Sequence, residues 1–153
     1  MRIAIIGASG LVGRAILEEA LARGHRVTAL VRTPLKLTAR EGLTVEKVDA
    51  LDTAALTDAL CGHEAVISAF SGHAQEDVYG YYLRGIRSII AAAKTADVPR
   101  LLVVGGAGSL EVAPGVQLVD TPEFPKQWLA TARGARDALV VLRAEPTLNW
   151  TML

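Results

Sequence analysis

The chain has one cysteine, Cys61, in 153 residues. That excludes an internal disulfide framework and fits a reducing compartment such as the cytoplasm. No charge of one sign is in excess: 16 Lys and Arg balance 16 Asp and Glu. Without a basic stripe there is no footprint for nucleic acid. No apolar run reaches the length of a membrane span, and the opening Met1-Arg2 followed by four apolar residues reads as a strand, not a leader. His, Cys and acidic side chains show no metal-ligand spacing, so no metal is expected. Aromatic residues are few, at 5%, while apolar residues make up 51%. The apolar content suits a parallel sheet covered by helices, whose strands are apolar throughout.

What the chain does have is glycine in a pattern. Ile3 to Ile6 form a short apolar run, broken by Gly7, Gly10 and Gly13 at GxxGxxG spacing. An amphipathic stretch follows over 11–23. Strand, glycine turn and helix lay a dinucleotide pyrophosphate on a helix N-terminus. In that arrangement Gly7 turns the chain, Gly10 lets backbone N–H groups approach phosphate, and Gly13 lets the helix pack closely. Ser9 adds a hydroxyl, and Ala8, Leu11 and Val12 complete the turn.

Strand and helix patterns alternate along the chain. Strands are expected over 2–6, 25–31, 43–48, 65–70, 100–104 and 148–153. Helices are expected over 11–23, 34–41, 53–60, 78–96 and 126–144, with a glycine- and proline-rich loop over 105–125. The alternation predicts one α/β domain over 1–153, a doubly wound parallel sheet (Rossmann) in the order 3-2-1-4-5-6. Ligand then sits beyond the strand ends where strands one and four part.

The end of strand two selects the cofactor. An NAD site usually carries Asp or Glu there. This chain has Val31-Arg32-Thr33. The Arg32 guanidinium suits a 2′-phosphate, with Thr33 and Lys36 as further donors. NADP(H) is therefore expected over NAD(H), the alternative for Arg32 being a solvated strand-end charge. Asp49, with Ala50 and Leu51, ends strand three; its carboxylate suits either an adenine amino group or an Asx turn. Ala69, Phe70, Ser71 and Gly72 end strand four beneath the expected nicotinamide ribose, with Phe70 read as packing. His73, near the cofactor mouth, and Ser109, after strand five, are the catalytic candidates, each weighed against an ordinary surface role. His25, His63 and Cys61 fall on the opposite edge and read as structural.

Gly7 to Gly13, the Val31-Arg32 strand end, Asp49 and the Gly105 to Leu110 segment together resemble the atypical short-chain dehydrogenase/reductase group. The nearest branch is the NmrA-like, NADH-flavin reductase type of NAD(P)-binding proteins, which Asp120 to Pro125 and Leu148 to Leu153 also resemble. The resemblance implies NADP(H) binding and reduction of flavin, taken as a substrate, or of a quinone-like small-molecule acceptor. A monomer or homodimer is expected. Two departures stand against it. No tyrosine is followed four places later by lysine, so the usual carbonyl-reducing dyad is absent. The chain also stops within a strand-like run where family members continue, which points to a truncated substrate side. Two alternatives therefore stand beside the reductase: an NADP(H)-sensing protein without turnover, and a nucleotide-sugar epimerase or dehydratase.

Overall fold

The computed structural model describes residues 1–38, 40–73 and 75–153. Six parallel strands form the sheet: β1 (Arg2–Ile6), β2 (Arg26–Val31), β3 (Leu43–Lys47), β4 (Ala65–Ser68), β5 (Leu101–Val103) and β8 (Trp150–Met152). Their order is β3-β2-β1-β4-β5-β8, the expected doubly wound arrangement. A small antiparallel hairpin, β6 (Glu111–Ala113) with β7 (Val116–Gln117), precedes the last strand. The helices are α1 (Leu11–Ala22), α2 (Thr53–Leu60), α3 (Val78–Thr95) and α4 (Leu129–Arg143).

Alternation along the strands divides the core in two. Ile3 and Ile5 of β1 join Val27, Ala29 and Val31 of β2 against Leu17 and Ala20 of α1. Ala4 and Ile6 face the other way, with Leu30, Val66, Leu101 and Val103, against α2, α3 and α4. Successive side chains of a strand point to opposite faces, so a strand covered on both sides must be apolar at every position. Trp150 packs at the margin of the larger cluster, as its apolar setting predicts.

Local chemistry sets the helix ends. Asp52 accepts from the Ala55 N–H and Asp77 from the Gly80 N–H, capping α2 and α3. Gly24 and Gly62, at φ +76°, follow α1 and α2 in the left-handed conformation that side chains resist.

Four expectations need correction. The helix over 34–41 shrinks to a 3-10 turn, Pro34–Lys36, because Leu37 turns extended (φ −127°, ψ 137°) and packs partly buried against the α1-side core; Ala39 lies outside the described residues. The loop over 105–125 contains the hairpin and short 3-10 turns. Helix 126–144 begins as a 3-10 turn, Lys126–Trp128, before α4. Cys61 is exposed rather than packed, its Sγ 3.4 Å from the Thr57 carbonyl oxygen. Among the described residues, no helix is long and apolar enough to cross a membrane.

Candidate functional site

A cleft of about 220 Å³ opens at the C-terminal edge of the sheet, where β1 and β4 diverge. Two backbone bonds fix its floor. The Gly7 N–H donates to the Leu30 carbonyl at 3.1 Å, and the Ala69 N–H donates to the Ile6 carbonyl at 2.9 Å. They extend the ladder one step past the strands and set the glycine turn between the ends of β2 and β4.

The turn is shaped by what glycine lacks. Gly7 has φ +78°, and a Cβ there would lie 2.6 Å from the Ala69 carbonyl oxygen. At Gly13 a Cβ would fall 2.1 Å from the Gly7 carbonyl oxygen, so α1 starts pressed against the turn. Gly10 is less confined: it is exposed, and a Cβ there would meet only the Gly7 carbonyl oxygen, in a tight contact at 3.3 Å. Gly10 is the N-cap of α1, and no side chain caps the helix. The first N–H groups of α1 therefore meet the cleft with the positive end of the helix dipole.

The sequence-predicted residues divide. Gly7, Ser9, Gly10, Arg32, Thr33, Lys36, Ala50, Ala69, Phe70, Ser71 and His73 line the cleft. Ala8 is fully buried below the turn. Gly13 serves helix packing, and Gly72 does the same against Val78, whose carbonyl oxygen a Cβ would approach to 2.5 Å. Leu11 and Val12 point to solvent, Leu11 at 92% exposure. The Asp49 carboxylate accepts from the Leu51 N–H at 3.0 Å, which is the Asx-turn alternative and holds both residues outside the lining. Ser109 sits on a 3-10 turn away from the cleft, its carbonyl accepting from Gln117 Nε2. His73 stands at the mouth, edge-on to Trp128 at 6.0 Å and 3.4 Å from the Thr131 hydroxyl. His63 lies at the far end of the sheet, bonded to Thr28 at 2.9 Å, as a structural histidine would be.

Two cations, Arg32 and Lys36, and no carboxylate belong to the described lining. This wall suits an anion. Arg14 gives it rigidity that sequence reading missed. Its guanidinium donates to the Ser9 carbonyl at 3.2 Å and the Lys36 carbonyl at 2.9 Å, tying the glycine turn to the Pro34–Lys36 turn.

An aromatic layer closes the α3 side. Phe70 stacks on Tyr81 (5.3 Å, 24°) and on Tyr82 (6.0 Å, 17°). Gly85 makes this possible, since a Cβ there would lie 2.1 Å from the Phe70 ring. Phe70 is thus a packing residue, as read from sequence. Tyr82 donates to the Val104 carbonyl at 3.3 Å, and burial pushes its phenol up to about 12. Tyr79 donates to Asp137 at 2.6 Å, which raises its pKa. Among the described residues none of the three tyrosines is hydrogen-bonded to a lysine, consistent with the missing dyad.

The NAD(P)H-binding family matches residues 7–153. Protein YwnB of Bacillus subtilis is 42% identical over 156 residues, covering all of this chain and 70% of that protein. A solved structure from Streptococcus pneumoniae, described as a "putative NADH-flavin reductase", superposes with a TM-score of 0.85 at 37% identity, covering 99% of this chain and 70% of its own. Quinone oxidoreductase 2 of Escherichia coli is 35% identical over 100 residues, covering 63% of this chain and 33% of that enzyme. The chain thus spans about a third of the Escherichia coli enzyme's length. With this fold and this match, the chain belongs to the NAD(P)H-binding family and, by its named relatives, to the NAD(P)H-dependent oxidoreductases.

Proposed function

We propose that residues 1–153 form one NADP(H)-binding domain of a reductase whose acceptor is a flavin or a quinone-like ring. The observation that carries this reading is the cleft wall: an uncapped helix start at Gly10 beside Arg32 and Lys36, with no carboxylate in the described lining. The residues fit the group. Gly10, exposed and in the cleft lining, presents no side chain to a pyrophosphate, and the α1 N–H groups with Ser9 supply its donors. Arg32, Thr33 and Lys36 supply cationic and hydroxyl donors for a 2′-phosphate. Ala69 and Ser71, small residues at the end of β4, leave room for the nicotinamide half. When bound, the nicotinamide supplies a hydride to the acceptor.

This chain's own work is binding and orientation. Planar acceptors that take hydride onto a ring nitrogen or carbon need little acid–base help, so positioning supplies most of the catalysis. That agrees with a site holding no tyrosine–lysine pair. His73, held at the mouth by Trp128 and Thr131, is the group here for donating a proton to an acceptor atom. The missing pair also favours a second reading, a protein that binds NADP(H) and reports its redox state without turnover.

Calorimetric titration with NADPH and with NADH, followed by NADPH oxidation with added FMN, tests the reading. Tighter binding of NADPH with flavin-dependent oxidation is expected. Binding without oxidation by FMN or a quinone would move the assignment to the sensor. Absence of binding by either nucleotide would overturn the site.

A further inference from the structure

Helix α4 carries its core-facing stripe past the end of the core. Leu142, Ala138, Ala135, Thr131 and Trp128 follow one another at steps of four and three residues, so they share one face of the helix. The inner members are buried. Leu142 and Ala138 are fully covered, and Ala135, at 7% exposure, belongs to the larger core cluster. Thr131 is half-buried, and Trp128, the N-cap of α4, is 51% exposed. Tryptophan has a large apolar area to bury, and a core-facing position is where it is normally covered. Here one ring face stays open to solvent. His73 meets the indole at 89°, and a perpendicular ring covers at most one of its two faces. Among the described residues no other ring and no cation lies on it.

Two observations say what belongs on that face. The first is its place. His73 lines the cleft and is met by both Trp128 and Thr131, so the outer end of the stripe borders the mouth. His73 also follows Ser71 past the end of β4, the part of the cleft proposed for the nicotinamide. The second is its size. Lys126, Gln127 and Ala130, the exposed residues next to Trp128 in the chain, are charged, polar or small. The open apolar area is therefore that of one ring system, far short of the about 800 Å² that a stable protein partner covers on each side.

We propose that Trp128 is an acceptor-binding residue: the ring of a planar acceptor stacks on the open indole face, beside His73 at the mouth of the cleft. The inference rests on the reductase reading and adds to it the surface that holds the acceptor. Trp128 touches the acceptor and moves no proton. Its N–H donates to the Pro125 carbonyl at 3.0 Å, so the platform is set before the acceptor arrives.

The test is equilibrium binding of FMN and of menadione to the protein loaded with NADP+, beside NADPH oxidation by the same two acceptors. Loading with NADP+ keeps FMN out of the dinucleotide cleft and stops turnover. Trp128→Leu keeps apolar bulk and loses the stacking face, and Trp128→Phe restores a smaller face. Trp128→Leu is expected to weaken both acceptors by about three- to tenfold, with Trp128→Phe in between. In turnover the loss should appear in KM and not in kcat, as for a contact made equally before and during reaction. Affinity for NADP+ should hold. Unchanged acceptor affinity in Trp128→Leu overturns the inference and leaves the reductase reading standing. Trp128→Phe no better than Trp128→Leu overturns the stacking, and an equal loss of NADP+ affinity makes Trp128 a structural residue. Failure of the wild type to bind either acceptor overturns the acceptor reading itself, and this inference with it.

Discussion

Arg32 is the residue on which the proposed cofactor choice turns. It stands at the end of β2, where an acid would accept from ribose hydroxyls, and it presents a guanidinium to the cleft. Charge-assisted bonds to a phosphate contribute about 1.5–3 kcal/mol each. Arg32→Ala should therefore weaken NADPH by about 10- to 100-fold. NADH lacks the 2′-phosphate, so its affinity should hardly change. Paired titrations of the variant check this, and an equal loss for both nucleotides would remove the assignment. Arg32 was legible in the sequence because its place follows from local order: strand, then the first residue past it. Arg14 was not. Its part arises only where α1 meets the Pro34–Lys36 turn, a contact that no pattern within one segment reveals.

At the scale of the element, the β1–α1 turn separates glycines that serve folding from one proposed to serve binding. Gly13→Ala drives a Cβ to 2.1 Å from the Gly7 carbonyl oxygen, a backbone atom that cannot step aside. Overpacking of this kind costs about 1–3 kcal/mol. Gly10→Val places a Cβ 3.3 Å from the Gly7 carbonyl oxygen, a tight contact that a small shift relieves, and fills the space proposed for pyrophosphate. Gly13→Ala should lower the denaturant midpoint with binding lost alongside, whereas Gly10→Val should keep most of the midpoint and still lose NADPH. Urea unfolding and calorimetry on both variants check the split. This turn could be read in advance because glycine spacing, strand and helix all lie within residues 2–22. The hairpin could not. Glu111–Ala113 and Val116–Gln117 are too short for an alternating pattern, and their flanking glycines and prolines read as loop. The helix expected over 34–41 failed for a tertiary reason: docking of Leu37 against the core drew the chain out after one turn.

For the whole molecule, two groups, Glu145 and Tyr82, link stability to pH at opposite ends of the scale. Lys94 and Thr147 hold the Glu145 carboxyl down to about 2 from its ordinary 4.5, Lys94 at 2.9 Å bridging α3 to the end of α4. The fold thus favours the carboxylate. That stabilisation is complete above pH 4.5 and is lost as pH falls toward 2. Tyr82 works at the other end. Burial favours its neutral phenol, so its contribution is complete below pH 10 and is lost as pH rises through about 12. Unfolding midpoints across pH should fall less steeply on the acid side in Glu145→Gln, and less steeply on the alkaline side in Tyr82→Phe. Slopes identical to the wild type would show that neither group is linked to folding.

The strand order has a kinetic consequence. Every neighbouring pair in the six-stranded sheet is parallel, so each pairing waits on a crossover and no two of these strands can zip up as a hairpin. The longest wait belongs to the central pair, which brings Ile3 beside Ala65 only after β2, β3 and α2 have intervened. Closing so long a segment before any contact rewards it slows assembly. In pulsed hydrogen exchange during refolding, amides of the β2–β3 seam should gain protection before those of the β1–β4 seam, where the two halves of the sheet meet last.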